Sequence, residues 1–161
     1  MALHGRYFQI FVLNLCAPFI VQVFGAQLPH IDYPTGNEAE SEAWASAKSP
    51  PDPNDLPAVI KALAQQKSNP TRNRTVAFTH GTTIIVRSSS PDDVKTYAVN
   101  AFKDEEIVDT DGAGDAFAGG SLGALATGKS LDETIGVVHT PGTMFVTQVG
   151  PQYEWLEVKV L

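Results

Sequence analysis

A single cysteine among 161 residues, Cys16, has no partner for an internal disulfide, which excludes a stapled secreted scaffold and suits a reducing compartment. Set in an apolar run, that thiol is expected to pack as a small buried hydrophobe. Basic residues are scarce too. Eleven Lys and Arg stand against eighteen Asp and Glu, a net charge of −7, and they are scattered rather than gathered into a stripe. That pattern argues against a nucleic-acid surface. Internal repeats and low-complexity tracts are absent. Nor is there a long unbroken apolar run: Asn14, Pro18 and Gln22 interrupt the stretch from Phe8 to Ala26, which makes it a poor membrane span. With His4 and Arg6 ahead of it, the same stretch has the outline of a secretory signal peptide, and that reading stays open. The preferred one is a buried strand over Ile10 to Leu15 that breaks at Ala17-Pro18.

What the chain does have is 43% hydrophobic residues, enough for one domain with a core of ordinary size. A strand is expected over Phe8 to Leu15, then a short helix after Pro18, since proline is tolerated in a first helical turn. Leu28 to Thr35 holds two prolines, so any strand there is expected to be short or at a sheet edge. Gly36-Asn37 reads as a turn, and Glu38 to Ala47 as a helix with an acidic first turn that ends at Ser49-Pro50-Pro51. A helix follows from about Leu56 to Lys67, then a polar connection over Ser68 to Arg74. Thr75 to Thr79 and Thr82 to Arg87 read as a hairpin across His80-Gly81. Tyr97 to Phe102 and Glu106 to Val108 suggest two more strands. Helices are expected over Ala113 to Thr127 and Leu131 to His139. Strands alternating with helices point to a layered α/β fold with a largely parallel sheet.

Chemistry concentrates in Asp109-Thr110-Asp111-Gly112-Ala113-Gly114-Asp115, set between the strand expected to end at Ile107-Val108 and a small-residue helix. A glycine-rich turn at a helix start lets backbone N–H groups converge on an anion, and the helix dipole favours negative charge there. Asp115, in the first turn, can accept a proton from an attacking hydroxyl beside that anion. Read on its own, an Asp at this position is more often a cap or a dipole partner than a catalytic base.

The full string from Asp109 to Phe117 resembles the C-terminal signature of the ribokinase, or pfkB carbohydrate kinase, family. Other blocks follow in the family's order and resemble its adenosine kinase branch: Phe11 to Ile20, which usually carries Ser where Cys16 stands; Gly36-Asn37-Glu38-Ala39-Glu40; Phe78-Thr79-His80-Gly81; and Gly150-Pro151-Gln152-Tyr153. The resemblance implies a ribokinase-like α/β/α fold and an adenosine kinase that makes AMP from ATP and adenosine in purine salvage, working with magnesium. It implies Asp115 as catalytic base, with Gly112, Ala113 and Gly114 as anion hole. Asn37 and Glu40 would organise Mg2+, mostly through water. Thr79 and Gly81 would lie near the ATP phosphates, His139 near the nucleotide base and Phe19 near the adenosine. Bland readings remain for several of these: an N-cap for Asn37, a solvated helix residue for Glu40, structural roles for His139 and Phe19. The implied location is cytoplasmic, with a nuclear one left open, and no membrane or nucleic-acid partner is expected.

Family enzymes are considerably longer, so residues 1–161 are expected to form a partial kinase domain, its nucleotide-binding half, without the N-terminal half and lid. Several positions also depart from the pattern. Tyr33-Pro34 stands where an apolar strand is usual, and Thr82-Thr83 where charged residues are common. Asp111 adds a carboxylate beside the anion hole, and Thr140-Pro141-Gly142 is expected to interrupt the helix carrying His139. One alternative is a non-catalytic nucleotide-binding remnant that associates with a full-length kinase through an exposed sheet edge. Another is a small secreted protein, supported by the apolar N-terminus and the Asn73-Arg74-Thr75 glycosylation triplet.

Overall fold

The computed structural model describes residues 10–48, 52–66, 74–81, 83–87, 94–98, 103–147 and 149–150. In chain order its elements are β1 (Val12–Asn14), α1 (Pro18–Phe24), β2 (Tyr33–Asn37), α2 (Glu38–Ser46), α3 (Leu56–Gln65), β3 (Val76–His80), β4 (Thr83–Arg87), β5 (Val94–Ala98), α4 (Ala113–Ala126) and α5 (Leu131–Val146). The strands form one five-stranded sheet in sequential order. β1, β2 and β3 run parallel, with helical crossovers between them, and β4 and β5 extend the sheet antiparallel.

Alternation along the strands divides the core into two layers. Leu15, Val76 and Phe78 pack with Val21 of α1, Trp44 of α2 and Val59, Ile60 and Leu63 of α3. Tyr33, Ala77 and Ile84 face the other way, onto Phe117 of α4 and Ile135 and Val138 of α5. The layered α/β/α class expected from the sequence is the observed one. Local signals account for the helix starts. Pro18 opens α1, and the Asp55 side chain accepts the Ala58 N–H of α3 at 3.0 Å. Ser130 and Glu133 close a reciprocal capping box on α5.

Several elements differ from expectation, each for a physical reason. β1 is confined to Val12–Asn14 and only half-buried, because it is an edge strand; Ile10 and Phe11 beside it are 54% and 51% exposed, and Phe8 and Gln9 lie outside the described residues. β2, by contrast, is interior despite Pro34. Tyr33 N–H and Thr35 C=O bond toward β1, so alternation turns the Pro34 nitrogen to the β3 side, where pairing begins only at Thr35 opposite Ala77. A single ladder bond is forgone. Gly36-Asn37 is the end of β2 rather than a turn, with Asn37 passing straight into α2.

The strand expected at Tyr97 to Phe102 is β5, shifted to Val94–Ala98; residues 99–102 lie outside the described set. Glu106 to Val108 is not a strand. Asp104–Glu106 forms a 3-10 turn, and the N–H groups of Val108 and Asp109 both converge on the Val146 carbonyl at the end of α5, at 2.7 and 3.3 Å, instead of entering a ladder. The break expected at Thr140-Pro141-Gly142 does not occur either: α5 runs to Val146. Packing of α5 along α4 and the sheet holds the helical path although Pro141 withholds one N–H. His139 lies on this helix, in a stretch whose side chains are outside those described.

Arg74, at the end of the expected polar connection, is 1% exposed. Its Nε donates to the Ile31 carbonyl at 2.8 Å, and Nη1 to the carbonyls of Leu63, at 2.7 Å, and Gln66. Burial pushes its pKa down to about 10, opposed by the charge of Asp32, so the guanidinium stays cationic at neutral pH. The cation thereby ties the exit of α3 to the approach of β2, and a positive charge at a helix C-terminus is favourably placed. Of the glycosylation triplet, Asn73 lies outside the described residues, while Thr75 donates its N–H to the Asp32 carbonyl. Arg74→Met keeps most of the volume but strands those buried carbonyls, and is expected to lower stability by about 3 kcal/mol, read as a reduced urea midpoint with unchanged slope.

Candidate active site

The parallel strands β1, β2 and β3 all end on one side of the sheet, and a cleft of about 590 Å³ opens there. Asn14, Asn37 and Thr79, near those strand ends, form one wall, and Thr110 through Asp115 form the other. Ligands of open α/β sheets sit in such a position, outside the carboxyl ends of the strands.

The glycine turn is built by backbone constraint. Gly112 has φ of 83°, a left-handed conformation that disfavours a side chain. Asp109 anchors the turn's approach: its carboxylate accepts the N–H of Asp111 at 2.9 Å and of Gly150 at 3.1 Å, and these bonds hold it below the ordinary carboxylate pKa. The first bond into the turns of α4 runs from Ala116 N–H to the Gly112 carbonyl at 2.9 Å; of the amides before it, that of Ala113 donates to the Thr110 carbonyl at 3.3 Å, and the others lie at the helix mouth. Among the described residues no side chain caps that mouth. Asn37, Asp55 and Ser130 do cap α2, α3 and α5, while α1, which opens on Pro18, also starts without a side-chain cap. The α4 end thus offers uncapped N–H groups and the positive end of a dipole to the cleft.

Asp115 sits in that first turn and lines the cleft. Asn14 Nδ2 donates to its Oδ1 at 2.8 Å, and Cys16 Sγ lies 3.8 Å from the same oxygen. Cys16 is therefore not the buried hydrophobe expected. It is exposed, and a φ of 55° swings it out of the apolar run and into the cleft. Partial burial raises the thiol pKa, and the Asp115 and Glu40 carboxylates raise it further, so it stays protonated at neutral pH.

Asn37 and Glu40 form a reciprocal capping box. Asn37 Oδ1 accepts the Glu40 N–H at 3.1 Å, and Glu40 Oε2 accepts the Asn37 N–H at 2.7 Å. The N-cap reading of Asn37 thus holds, but Glu40 is no solvated helix residue: it is 4% exposed. Burial raises its pKa, the Asn37 N–H works against that, and Glu38 adds to it. Gly36 makes the arrangement fit, since a Cβ there would stand 2.7 Å from Glu40 Oε2 and 2.8 Å from the Phe78 ring. Among the described residues no three His, Cys, Asp or Glu side chains cluster as a cation cage. A magnesium ion suits this donor set only as a hydrated ion shared with phosphate oxygens, which is how that cation is commonly held.

Of the site residues singled out in the sequence, the cleft brings together Asn37, Glu40, Thr79, Gly81, Gly112, Ala113, Gly114 and Asp115. Phe19 is not among its lining residues; it stands on α1 with 64% of its surface exposed. Pro151 to Tyr153 and Thr82 lie outside the described residues. Asn14, the direct partner of Asp115, was visible in the sequence only as a polar break in an apolar run, a signal easily read as a strand defect.

Comparison with known proteins agrees with this arrangement. Residues 2–158 match the pfkB family of carbohydrate kinases. The adenosine kinase of Schizophyllum commune is 49% identical over 158 residues, which cover 94% of this chain and 46% of that protein. The adenosine kinase of Saccharomyces cerevisiae is 38% identical over 150 residues, covering 89% and 42%. Among solved structures, Anopheles gambiae adenosine kinase in complex with P1,P4-di(adenosine-5) tetraphosphate superimposes with a TM-score of 0.78 at 30% identity, covering 90% of this chain and 46% of that one. Adenosine kinase from Schistosoma mansoni in complex with 2-fluoroadenosine gives 0.80 at 27% identity, covering 88% and 43%. The chain spans about half the length of the curated relatives it matches. With the sheet, the glycine turn and the matched span in agreement, the chain belongs to the pfkB family of carbohydrate kinases.

Proposed function

We propose that this chain carries the phosphoryl-transfer machinery of an adenosine kinase, transferring the terminal phosphoryl group of ATP to the ribose 5′-hydroxyl of adenosine to form AMP. The observation that carries this reading is the meeting of an uncapped helix mouth and a carboxylate, Asp115, on one cleft. Asp115 accepts the hydroxyl proton, and the amides of Gly112, Ala113 and Gly114 receive the negative charge that builds on the transferring group. Thr79 and Gly81, on the opposite wall, contact the ATP phosphates. Bound Mg2+ would neutralise phosphate charge, with Glu40 and Asn37 holding its water shell. Adenosine kinase relatives at 49% and 38% identity favour adenosine as acceptor. On this reading residues 1–161 form the nucleotide-side part of a ribokinase-like domain, and a cytoplasmic location fits the lone thiol.

A second reading rests on the β1 edge, where Ile10 and Phe11 are exposed, as are Phe19 and Val23 of α1. It is a nucleotide-binding chain that adds its edge strand to a longer kinase without turning over by itself. Copurification with such a kinase, together with binding but no turnover in isolation, would favour it.

Asp115→Asn is expected to reduce phosphoryl transfer about 100- to 10,000-fold, the usual worth of a positioned general base. The thermal shift produced by Mg2+ and ATP should survive, since the helix-mouth amides remain. Undiminished transfer in this variant would remove Asp115 from the mechanism.

Glu40 supplies a pH test. Its folded pKa lies above the ordinary 4.5, so its stabilising contribution is complete below that value and is lost as pH rises through the folded value. Thermal unfolding followed between about pH 4 and pH 8 should show that decline, and Glu40→Gln should flatten it. The same variant should lose most of the added stabilisation that Mg2+ gives over ATP alone. A Mg2+ response equal to that of the unsubstituted chain would exclude Glu40 from cation binding.

A further inference from the structure

We infer that Asn14, itself fixed by Thr35, is a positioning residue that holds the Asp115 carboxylate in its working orientation; this rests on the role proposed for Asp115. Asn14 and Thr35 are direct partners in the β1–β2 register, so their side chains leave the same face of the sheet. Thr35 is 1% exposed, and its hydroxyl donates to Asn14 Oδ1 at 3.2 Å. Asn14 Nδ2 then donates to Asp115 Oδ1 at 2.8 Å. The order of donors is dictated by chemistry. An ionised carboxylate accepts only, so it selects the NH₂ side of the amide, and the amide oxygen turned away requires a donor, which Thr35 provides.

Asp115 needs such a guide because its side chain is exposed on a first helical turn and otherwise free among staggered rotamers. An amide orients it without adding a charge that would compete with the phosphates. Both nearby donors, Asn14 Nδ2 and Cys16 Sγ, address Oδ1, which leaves Oδ2 as the oxygen to accept the substrate proton.

The relay is tested in two arms on the purified chain. In the first, the side-chain NH₂ resonances of Asn14, followed by ¹⁵N NMR, should move on Asp115→Ala and on Thr35→Val, and stay in place on Glu133→Gln, in the first turn of α5 and outside the cleft lining. Resonances unmoved by either neighbour's substitution would overturn the inference. In the second, Asn14→Ala should lower kcat for adenosine phosphorylation about 10- to 100-fold with KM for ATP nearly constant, as loss of orientation does. Thr35→Val should do so less severely, and Thr35→Ser should recover most of what Thr35→Val loses. Combining Asn14→Ala with Asp115→Asn should be no worse than Asp115→Asn alone. A merely structural role would instead lower the melting temperature and add to the Asp115→Asn effect, overturning the inference. If Asp115→Asn is inactive while Asn14→Ala keeps full kcat, the inference falls and the proposed function stands. If Asp115→Asn stays active, the role proposed for Asp115 falls; if the unsubstituted chain transfers no phosphoryl group, the proposed function falls; in either case the resonances still decide whether the relay exists.

Discussion

The arrangement depends on one packing constraint: the first turns of α4 must lie against the ends of the parallel strands. Phe117, Ala118, Ser121 and Ala124 are buried along the face of α4 that meets the sheet, and Phe117 packs in the same cluster as Tyr33 and Ala77. Two residues before Phe117, at the open end of the helix, stands Asp115. Because the core fixes Phe117, Asp115 and the glycine turn are delivered to the strand ends as a rigid unit. The short side chains of Ala118, Ser121 and Ala124 sit beside Phe117 on the buried face of α4, and at its open end Asp115 comes within 2.8 Å of Asn14 on β1.

Against that constraint, the unequal treatment of the helix starts acquires meaning. α2 and α5 close their first turns with reciprocal boxes, Asn37 with Glu40 and Ser130 with Glu133, and α3 uses Asp55. Each of these caps satisfies backbone donors within the protein. At α4 the Ala113 N–H donates to the Thr110 carbonyl at 3.3 Å, and among the described residues no side chain takes the other first-turn donors, which open on the cleft. Glu40 faces the opposite problem. It is a useful cap, but as a charge buried beside Glu38 it is uncomfortable in the absence of a cation. On the proposed reading the two walls complement one another, and a magnesium-bound polyphosphate would bring an anion to the helix mouth and positive charge near the box together.

Much of this was legible in the sequence, and the failures share a cause. The glycine turn, the helix starts at Pro18 and Glu38 and the β3–β4 hairpin depend on local chemistry, and all appear where they were expected. What went unread depends on neighbours distant in the chain. Pro34 reads as an edge marker until β1 and β3 are placed on either side of it and only one of its flanks proves to need a donor. Val108 reads as a strand until the end of α5 takes its N–H. Asn14 and Asp115 are separated by 101 positions, and Cys16 reads as core until its positive φ is known. Periodicity carries no information about such pairings.

Arg74 shows how the same fold keeps its stability separate from its chemistry. Its guanidinium binds the carbonyl of Ile31, before β2 begins, and those of Leu63 and Gln66, where α3 ends. Thr75 reaches the Asp32 carbonyl alongside. All of these lie at the N-terminal approach to the strands, whereas Asn14, Asn37 and Thr79 lie at their C-terminal ends. Directionality of the parallel strands makes this division possible: one end of the sheet is closed by a buried cation and saturated carbonyls, and the other is left with open donors and a strained thiol-bearing turn. The strands that carry Asn14 and Thr35 are held from behind, so the cleft end can retain uncapped amides and a buried carboxylate without the sheet coming apart.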